Sequence, residues 1–322
     1  MSALTGANRK AFDDLSASSH SKPWQHALAN QTAEALQQRK DWIGAQWIDA
    51  KANPQRRDVR LLDYACGNGA ITKALGPYVK TIRGIDISED MISKYNEAAR
   101  SSGLSEEAAH AVVGDLCAQK ATQDPQFKDQ DWYEFDIAVI GLGFHHLEYP
   151  DVAMKRLAER LKAETGILVV VDFLPFDEKN NHDHGGNKGE FQEMKHTIKH
   201  NGFKPETLRD LYVEAGFEDF EIVALKQPAV MELKTGTVQR TLFVAKGRKS
   251  ATWWQKFSGW VGGLQDVASG QFKIDKTDAQ QWEPGFAKGG EVWNTSKQKD
   301  ETWNAVPEEQ NGPKKPWNMG FQ

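Results

Sequence analysis

Residues 61–69 read Leu61-Leu62-Asp63-Tyr64-Ala65-Cys66-Gly67-Asn68-Gly69, and this stretch decides the fold. Two leucines and an aspartate end an apolar segment that is typical of a buried strand. Small residues then turn the chain, and residues 70–75 begin a helix. Glycine is favoured at such a turn because a ligand that lies against bare backbone leaves no room for a Cβ atom. The pattern therefore predicts a strand, a ligand-binding turn and a helix.

Two other ligand-binding loops have a similar pattern and can be compared with this turn. The dinucleotide fingerprint requires Gly-x-Gly-x-x-Gly, whose third glycine lets the helix pack closely on the strand. Here Gly67 and Gly69 are followed by Thr72 at the third position, so the fingerprint is incomplete. A Walker A loop does not fit either, because no Gly-Lys-Ser/Thr follows the turn.

Three further apolar segments end in acidic or glycine-containing turns. Asp86 closes the first of them, 17 residues after Gly69. A carboxylate at that distance suits the two hydroxyls of a ribose, because it can accept two hydrogen bonds. The segments are residues 81–88, residues 111–116 with Asp115, and residues 135–147, which end in His145-His146-Leu147.

In this order, the four segments resemble the motifs of class I S-adenosylmethionine (SAM)-dependent methyltransferases. The first resembles motif I in its Asp-x-Ala-Cys-Gly-x-Gly form, with Ala65 in place of the first glycine of the family motif, and the fourth resembles motif IV, which often ends in His-His. The branch is that of the small-molecule enzymes (type 11), similar to those of ubiquinone and menaquinone biosynthesis. The resemblance implies a Rossmann-like α/β fold with a seven-stranded sheet, SAM as cofactor, and an acid in the third segment that receives the adenine amino group. The residues that it assigns to the cofactor are Asp63, Ala65, Gly67, Gly69, Asp86, Ile87, Met91, Asp115, Leu116 and Gly141.

The length of 322 residues suits one α/β domain with additional elements. Alternating strand and helix patterns, followed by two terminal strands, predict a methyltransferase domain over residues 21–248 after a flexible N-terminus, residues 1–20. An insertion at residues 174–204 follows the strand that ends at Asp172. Ligands bind beside the carboxyl ends of such strands, so we expect the insertion to be a lid on the acceptor side.

Histidines supply the candidate catalytic groups. An oxygen acceptor needs a base near neutral pH, and His145, His196 and His200 fit that requirement. Transfer to oxygen, carbon or nitrogen stays open, since a carbon acceptor would also need a base. His182-x-His184 and the pair at 196 and 200 have ligand-like spacing, but a Gly-Gly break separates them. A polar loop is the favoured interpretation, and we predict no metal site.

Composition limits the partners and the compartment. The net charge of −5 and the pI of about 6.0 indicate no general attraction to nucleic acid. No apolar run reaches the roughly 20 residues of a membrane span. Two cysteines without metal or redox spacing, and no signal-peptide pattern, favour a reducing compartment. We therefore expect a cytoplasmic protein, with the nucleus left open.

The extension at residues 249–322 differs in composition from the rest of the chain. It holds seven of the eleven tryptophans but too few aliphatic residues for a core of its own. We expect it to be partly disordered and partly packed on the methyltransferase domain. Its repeated aromatic anchors favour a protein partner over a membrane surface. The leading function is methyl transfer to a small-molecule acceptor. The alternatives are a protein methyltransferase and a SAM-binding scaffold that acts through this extension.

Overall fold

The computed structural model describes residues 3–17, 22–48, 58–117, 124–176, 197–233 and 236–251. Its helices are α1 (Ala3–Ala17), α2 (Pro23–Gln38), α3 (Lys40–Ile43), α4 (Ala70–Leu75), α5 (Glu89–Ser101), α6 (Pro150–Arg160) and α7 (Pro205–Glu214). Its strands are β1 (Arg60–Tyr64), β2 (Thr81–Asp86), β3 (Ala109–Val113), β4 (Ile137–Gly141), β5 (Ile167–Phe173), β6 (Phe217–Ala224), β7 (Ala229–Leu233), β8 (Gly236–Arg240) and β9 (Leu242–Lys249).

Seven of these strands form one sheet in the order β3-β2-β1-β4-β5-β9-β6. The first five strands in this order, β3, β2, β1, β4 and β5, are parallel to one another. Strand β9 runs antiparallel to both of its neighbours, β5 and β6. The chain proceeds from β1 outward to β3 and then continues on the other side of β1 with β4 and β5. This reversal creates a topological switch point between β1 and β4, where ligands of open α/β sheets bind. The seven-stranded Rossmann-like fold predicted from the sequence is confirmed.

Helices on both faces explain why the central strands are apolar throughout. Every residue of β5 is buried, as expected for a parallel strand that is covered on two sides. One core cluster includes Leu36 of α2 and Ile71 of α4. A second large cluster includes Leu157 of α6 and Tyr212 of α7. The two layers hold the loops after β1 to β5 at one edge of the sheet, which we call the ligand edge.

The N-terminal segment differs from the flexible N-terminus predicted for residues 1–20. Residues 3–17 form α1, and three of its polar side chains have distant partners. Asn8 donates from Nδ2 to the carbonyl of His146, Arg9 pairs with Glu89, and Asp13 accepts from the Ser88 hydroxyl at 2.5 Å. The sequence analysis did not predict this helix, because a polar composition does not reveal partners that lie far away in the sequence.

A two-stranded sheet of β7 and β8 also escaped the sequence analysis. It lies between β6 and β9 in the chain, and its inward residues Ala229, Met231 and Val238 are buried in the same core cluster as Leu36. Most of the predicted lid, residues 177–196, lies outside the described residues, as does the extension from residue 252. None of the described helices is both long enough and apolar enough to cross a bilayer.

Candidate active site

The turn after β1 has the left-handed backbone that its glycines permit. Gly67 has φ of 50° and Gly69 has φ of 93°. A Cβ atom on Gly67 would meet nothing within 4 Å, whereas one on Gly69 would lie 3.1 Å from the ring of Tyr95. Gly69 is therefore needed for packing on α5, and Gly67 leaves the open space that a ligand against the backbone requires.

Ala65 adopts the same backbone region without being glycine, with φ of 56°. This conformation costs roughly 1–2 kcal/mol for a residue with a Cβ atom. The turn is nevertheless formed. Gly143, after β4, approaches so closely that a Cβ atom on it would lie 2.6 Å from the Cβ atom of Ala65. The turns after β1 and β4 are thus packed against each other.

Asp63 joins the end of β1 to α4. The carboxylate is fully buried, and its Oδ2 accepts hydrogen bonds from the backbone N and the hydroxyl of Thr72, at 3.2 and 2.9 Å. Burial raises the pKa of Asp63 to about 8. Its Oδ1 is buried and lacks a partner among the described residues. With a pKa near 8 the group is largely protonated at neutral pH, and its ionised form would need a positive charge close by.

Asp86 joins the glycine turn to β2. Its Oδ2 accepts from the backbone N of Gly67 at 2.8 Å, and its Oδ1 accepts from that of Ser88 at 3.0 Å. Burial raises the pKa of this carboxyl group. Each oxygen keeps a second lone pair for the predicted ribose contact. Ile87 follows directly and is partly exposed, as is Met91 in the first turn of α5.

Asp115 occupies the matching position after β3. Its Oδ1 accepts from the backbone N of Cys117 at 2.8 Å and from the hydroxyl of Tyr64 at 3.1 Å. Leu116 beside it is 5% exposed. Because β1, β2 and β3 are neighbouring parallel strands, the structure brings the acids that end or follow them to the ligand edge, together with the glycine turn.

Gly141 is the exception among the predicted cofactor residues. It ends β4, and a Cβ atom on it would lie 2.7 Å from Cδ1 of Ile71. Close packing of α4 on β4 is sufficient to explain this glycine, so the structure gives a packing reason for a residue that we assigned to the cofactor.

A buried histidine–aspartate pair lies at the ends of β4 and β5. Nδ1 of His145 is 2.8 Å from Oδ1 of Asp172, and the backbone N of His145 donates to Oδ2 at 3.0 Å. The His145 side chain is 8% exposed and that of Asp172 is fully buried. We did not select Asp172 from the sequence. The sequence pattern that identified Asp86, an acid at the end of an apolar strand, also applies to Asp172.

His146 and the predicted catalytic residue His200 differ from His145 in their surroundings. His146 donates from Nδ1 to the carbonyl of Thr197 at 2.9 Å, and burial with His145 nearby lowers its pKa to about 3. Nε2 of His200 is 3.1 Å from the carbonyl of Leu147, and burial lowers its pKa as well. His200 thus lies beside the turn after β4, whereas His196 is outside the described residues. Across the described ranges, no group of His, Cys, Asp and Glu residues could hold a metal ion.

Helix α1 contacts both halves of this site. Phe12 packs edge-on against the ring of His146, with centroids 5.2 Å apart. Asp13, one residue later, is bonded to Ser88 on the cofactor side. Phe12 and Asp13 therefore have defined contacts, although the N-terminus had been expected to be loose.

Comparison with known proteins agrees with this geometry. The model of a methyltransferase-domain family matches residues 25–222, and the chain belongs to this family. By family and fold it contains a class I methyltransferase domain. A curated relative, an uncharacterized methyltransferase of Schizosaccharomyces pombe, is 31% identical over 177 residues. That match covers 55% of this chain and 59% of the relative, so the chain spans less than two thirds of the relative's length.

Solved structures are similar in fold at low sequence identity. A SAM-dependent methyltransferase from Anabaena variabilis is 17% identical with a TM-score of 0.50, covering 77% of this chain and 96% of that one. Magnesium protoporphyrin IX methyltransferase from Synechocystis, solved with bound SAM, is 14% identical with a TM-score of 0.48 and covers 77% and 99% of the two chains.

Proposed function

We propose that the protein transfers the methyl group of SAM to an oxygen, carbon or nitrogen of a small organic acceptor. The observation that carries this proposal is the shared position of two sets of residues at the ligand edge. The open turn at Gly67 lies with Asp86 and Asp115 on one side of the switch point. The pair of His145 and Asp172 lies on the other side.

The residues after β1 to β3 fit SAM in their chemistry. The bare backbone of Gly67 leaves room for the ligand, and Asp86 keeps lone pairs for ribose hydroxyls. Asp115 would accept from the adenine amino group, while Leu116 packs beside it. If the amino group of the methionine part lies close to Asp63, its positive charge would lower the pKa of this buried carboxyl group and favour the ionised form. When bound, SAM supplies an activated methyl group on a sulfonium centre.

His145 is the base that we propose for an acceptor with a dissociable proton. If its ring proton is on Nδ1 and bonded to Asp172, Nε2 remains to accept a proton. The buried carboxylate of Asp172 holds the ring in place and stabilises the cation that forms on proton transfer. His146 differs, because its lowered pKa keeps it neutral near pH 7.

The predicted lid and the cytoplasmic location also remain proposals. Near the end of the insertion, the backbone N atoms of Lys199 and His200 donate to the carbonyl of His145, which supports an acceptor-side position for that segment. Cys66 and Cys117 are free and buried, and burial raises the pKa of both thiols. Unpaired thiols support a reducing compartment such as the cytoplasm. A protein partner of the extension at residues 249–322 is proposed from its sequence alone.

The test uses SAM with a deuterated methyl group, the full-length protein and a small-molecule extract. Mass spectrometry should find a compound that gains the label. Asp172→Asn should reduce its formation by roughly 10²-fold or more, because the ring loses its charged partner. Asp210→Asn, a change of an exposed residue on α7, is the control and should have no effect.

Binding of S-adenosylhomocysteine (SAH) should persist in Asp172→Asn, which separates a loss of chemistry from a loss of folding. Wild-type turnover in that variant would contradict the role of the pair. Label that appears only in protein would favour the alternative of a protein methyltransferase.

A further inference from the structure

A buried cation lies on the acceptor side of the ligand edge. Arg240 ends β8, and only 7% of it is exposed. The next strand, β9, is antiparallel to β5, and its first residue, Leu242, pairs with Phe173 at the carboxyl end of β5. Thr241 between them accepts a hydrogen bond from the backbone N of Leu174. Arg240 therefore lies next to the strand end that carries Asp172.

Three consecutive ring contacts connect Arg240 with the proposed base. The guanidinium carbon of Arg240 is 3.8 Å from the ring centroid of Phe176. The rings of Phe176 and Phe173 are 6.2 Å apart and nearly perpendicular. The ring of Phe173 is 5.6 Å from that of His145. Arg240 and His145 are thus connected through two packed rings, of which Phe173 is buried and Phe176 is half-buried.

A guanidinium in this position is suited to a planar anion. Stacking on Phe176 leaves the N–H groups at the edge of the guanidinium plane, where they can form two parallel bonds to a carboxylate. Arg240 has a further interaction within the chain. Because a guanidinium has five N–H donors, a ligand would share it with that partner.

We propose that Arg240 binds an anionic group, of the carboxylate class, on the methyl acceptor. The ring-containing body of the acceptor lies along Phe173 and Phe176, with its reacting atom toward His145. This inference rests on the proposed function and deepens it, because it names the class of acceptor.

The experiment compares benzoate with benzamide, two probes of equal shape that differ in charge. Calorimetry on the full-length protein, with and without SAH, should give about tenfold tighter binding of benzoate. Arg240→Gln should abolish this preference, and Arg240→Lys should retain part of it as a point charge. Arg209→Gln, which removes an exposed arginine of α7, is the matched control and should keep the full preference.

SAH affinity decides whether the anion belongs to the acceptor or to the cofactor, which also carries a carboxylate. It should be the same in wild type and Arg240→Gln, and this result also shows that the variant is folded. A loss of SAH affinity in Arg240→Gln would overturn the assignment to the acceptor. Equal affinity of benzoate and benzamide in wild type, or an unchanged preference in Arg240→Gln, would overturn the site itself. If SAH failed to bind wild type, the proposed function would fail, while the titrations without SAH would still test the anion site.

Discussion

Replacing Asp86 by alanine should damage both the glycine turn and the cofactor site. The carboxylate accepts backbone hydrogen bonds from Gly67 at 2.8 Å and Ser88 at 3.0 Å, and the residue is 9% exposed. Alanine leaves these two donors without their partner in a largely buried place. We expect about 2 kcal/mol less free energy of unfolding, since an unsatisfied buried donor costs roughly 1–3 kcal/mol. The lost contact to the ribose should weaken SAM binding by about 1.5–3 kcal/mol, roughly 10- to 150-fold.

Calorimetry with SAM and denaturant unfolding measure the two effects separately. Asp86→Asn keeps the size of the side chain and one acceptor oxygen but removes the charge, so both losses should be smaller than with alanine. Asp90→Ala, a change of an exposed residue in the first turn of α5, is the control and should leave SAM affinity unchanged. Unchanged SAM affinity in Asp86→Ala would refute the assignment of Asp86 to the cofactor.

Three further changes test separate parts of the structure. The pKa of Asp63 is raised from 3.8 to about 8 in the folded state, so the free energy of unfolding should fall as pH rises through that window. The free energy of unfolding should change with pH by at most about 1.4 kcal/mol per pH unit. Denaturant titrations at pH values between 3.8 and 8 should find a smaller pH dependence in Asp63→Asn. An unchanged pH dependence in this variant would contradict a buried, protonated Asp63. Gly143→Ala should lower the free energy of unfolding by about 1–3 kcal/mol, because the new Cβ atom clashes with Ala65. Unfolding measurements should find a smaller loss when Ala65 is also replaced by glycine. An equal loss with and without Ala65→Gly would exclude this contact as the cause. Truncation after Ser250 removes no strand of the described sheet and should leave SAH affinity unchanged by calorimetry, whereas lost binding would show that the extension contributes to the site.

The cofactor side of the site was accessible from the sequence because its signals are local. The turn at Gly67 and the acids Asp86 and Asp115 each follow an apolar strand. Parallel strands bring their carboxyl ends to one edge, so the order of the segments was enough to group these residues. Gly141 also follows an apolar strand segment and was assigned to the cofactor. Its contact with Ile71 explains the glycine by packing, and a local sequence pattern does not contain that contact.

The acceptor side depends on contacts between distant parts of the chain. His145 and Asp172 are 27 positions apart, and their pairing requires that β4 and β5 be neighbours in register. Asn8 is 138 positions from His146, and polar residues at the N-terminus gave no indication of that bond. Arg240 reaches the ligand edge only because β9 is antiparallel to β5. Such pairings follow from the assembled sheet, so single-segment patterns could not predict them.

Binding of SAM to a matched pair of glycine variants tests the central claim most directly. Gly67 has φ of 50° and Gly103, at the end of α5, has φ of 78°, and a Cβ atom on either would meet nothing within 4 Å. Alanine therefore carries a similar backbone cost of roughly 1 kcal/mol at both positions. In calorimetry, wild type and Gly103→Ala should bind SAM alike, while Gly67→Ala should lose at least about tenfold in affinity because its Cβ atom occupies the space of the ligand. Absence of SAM binding in wild type, or equal affinity in the two variants, would contradict a cofactor site at this turn.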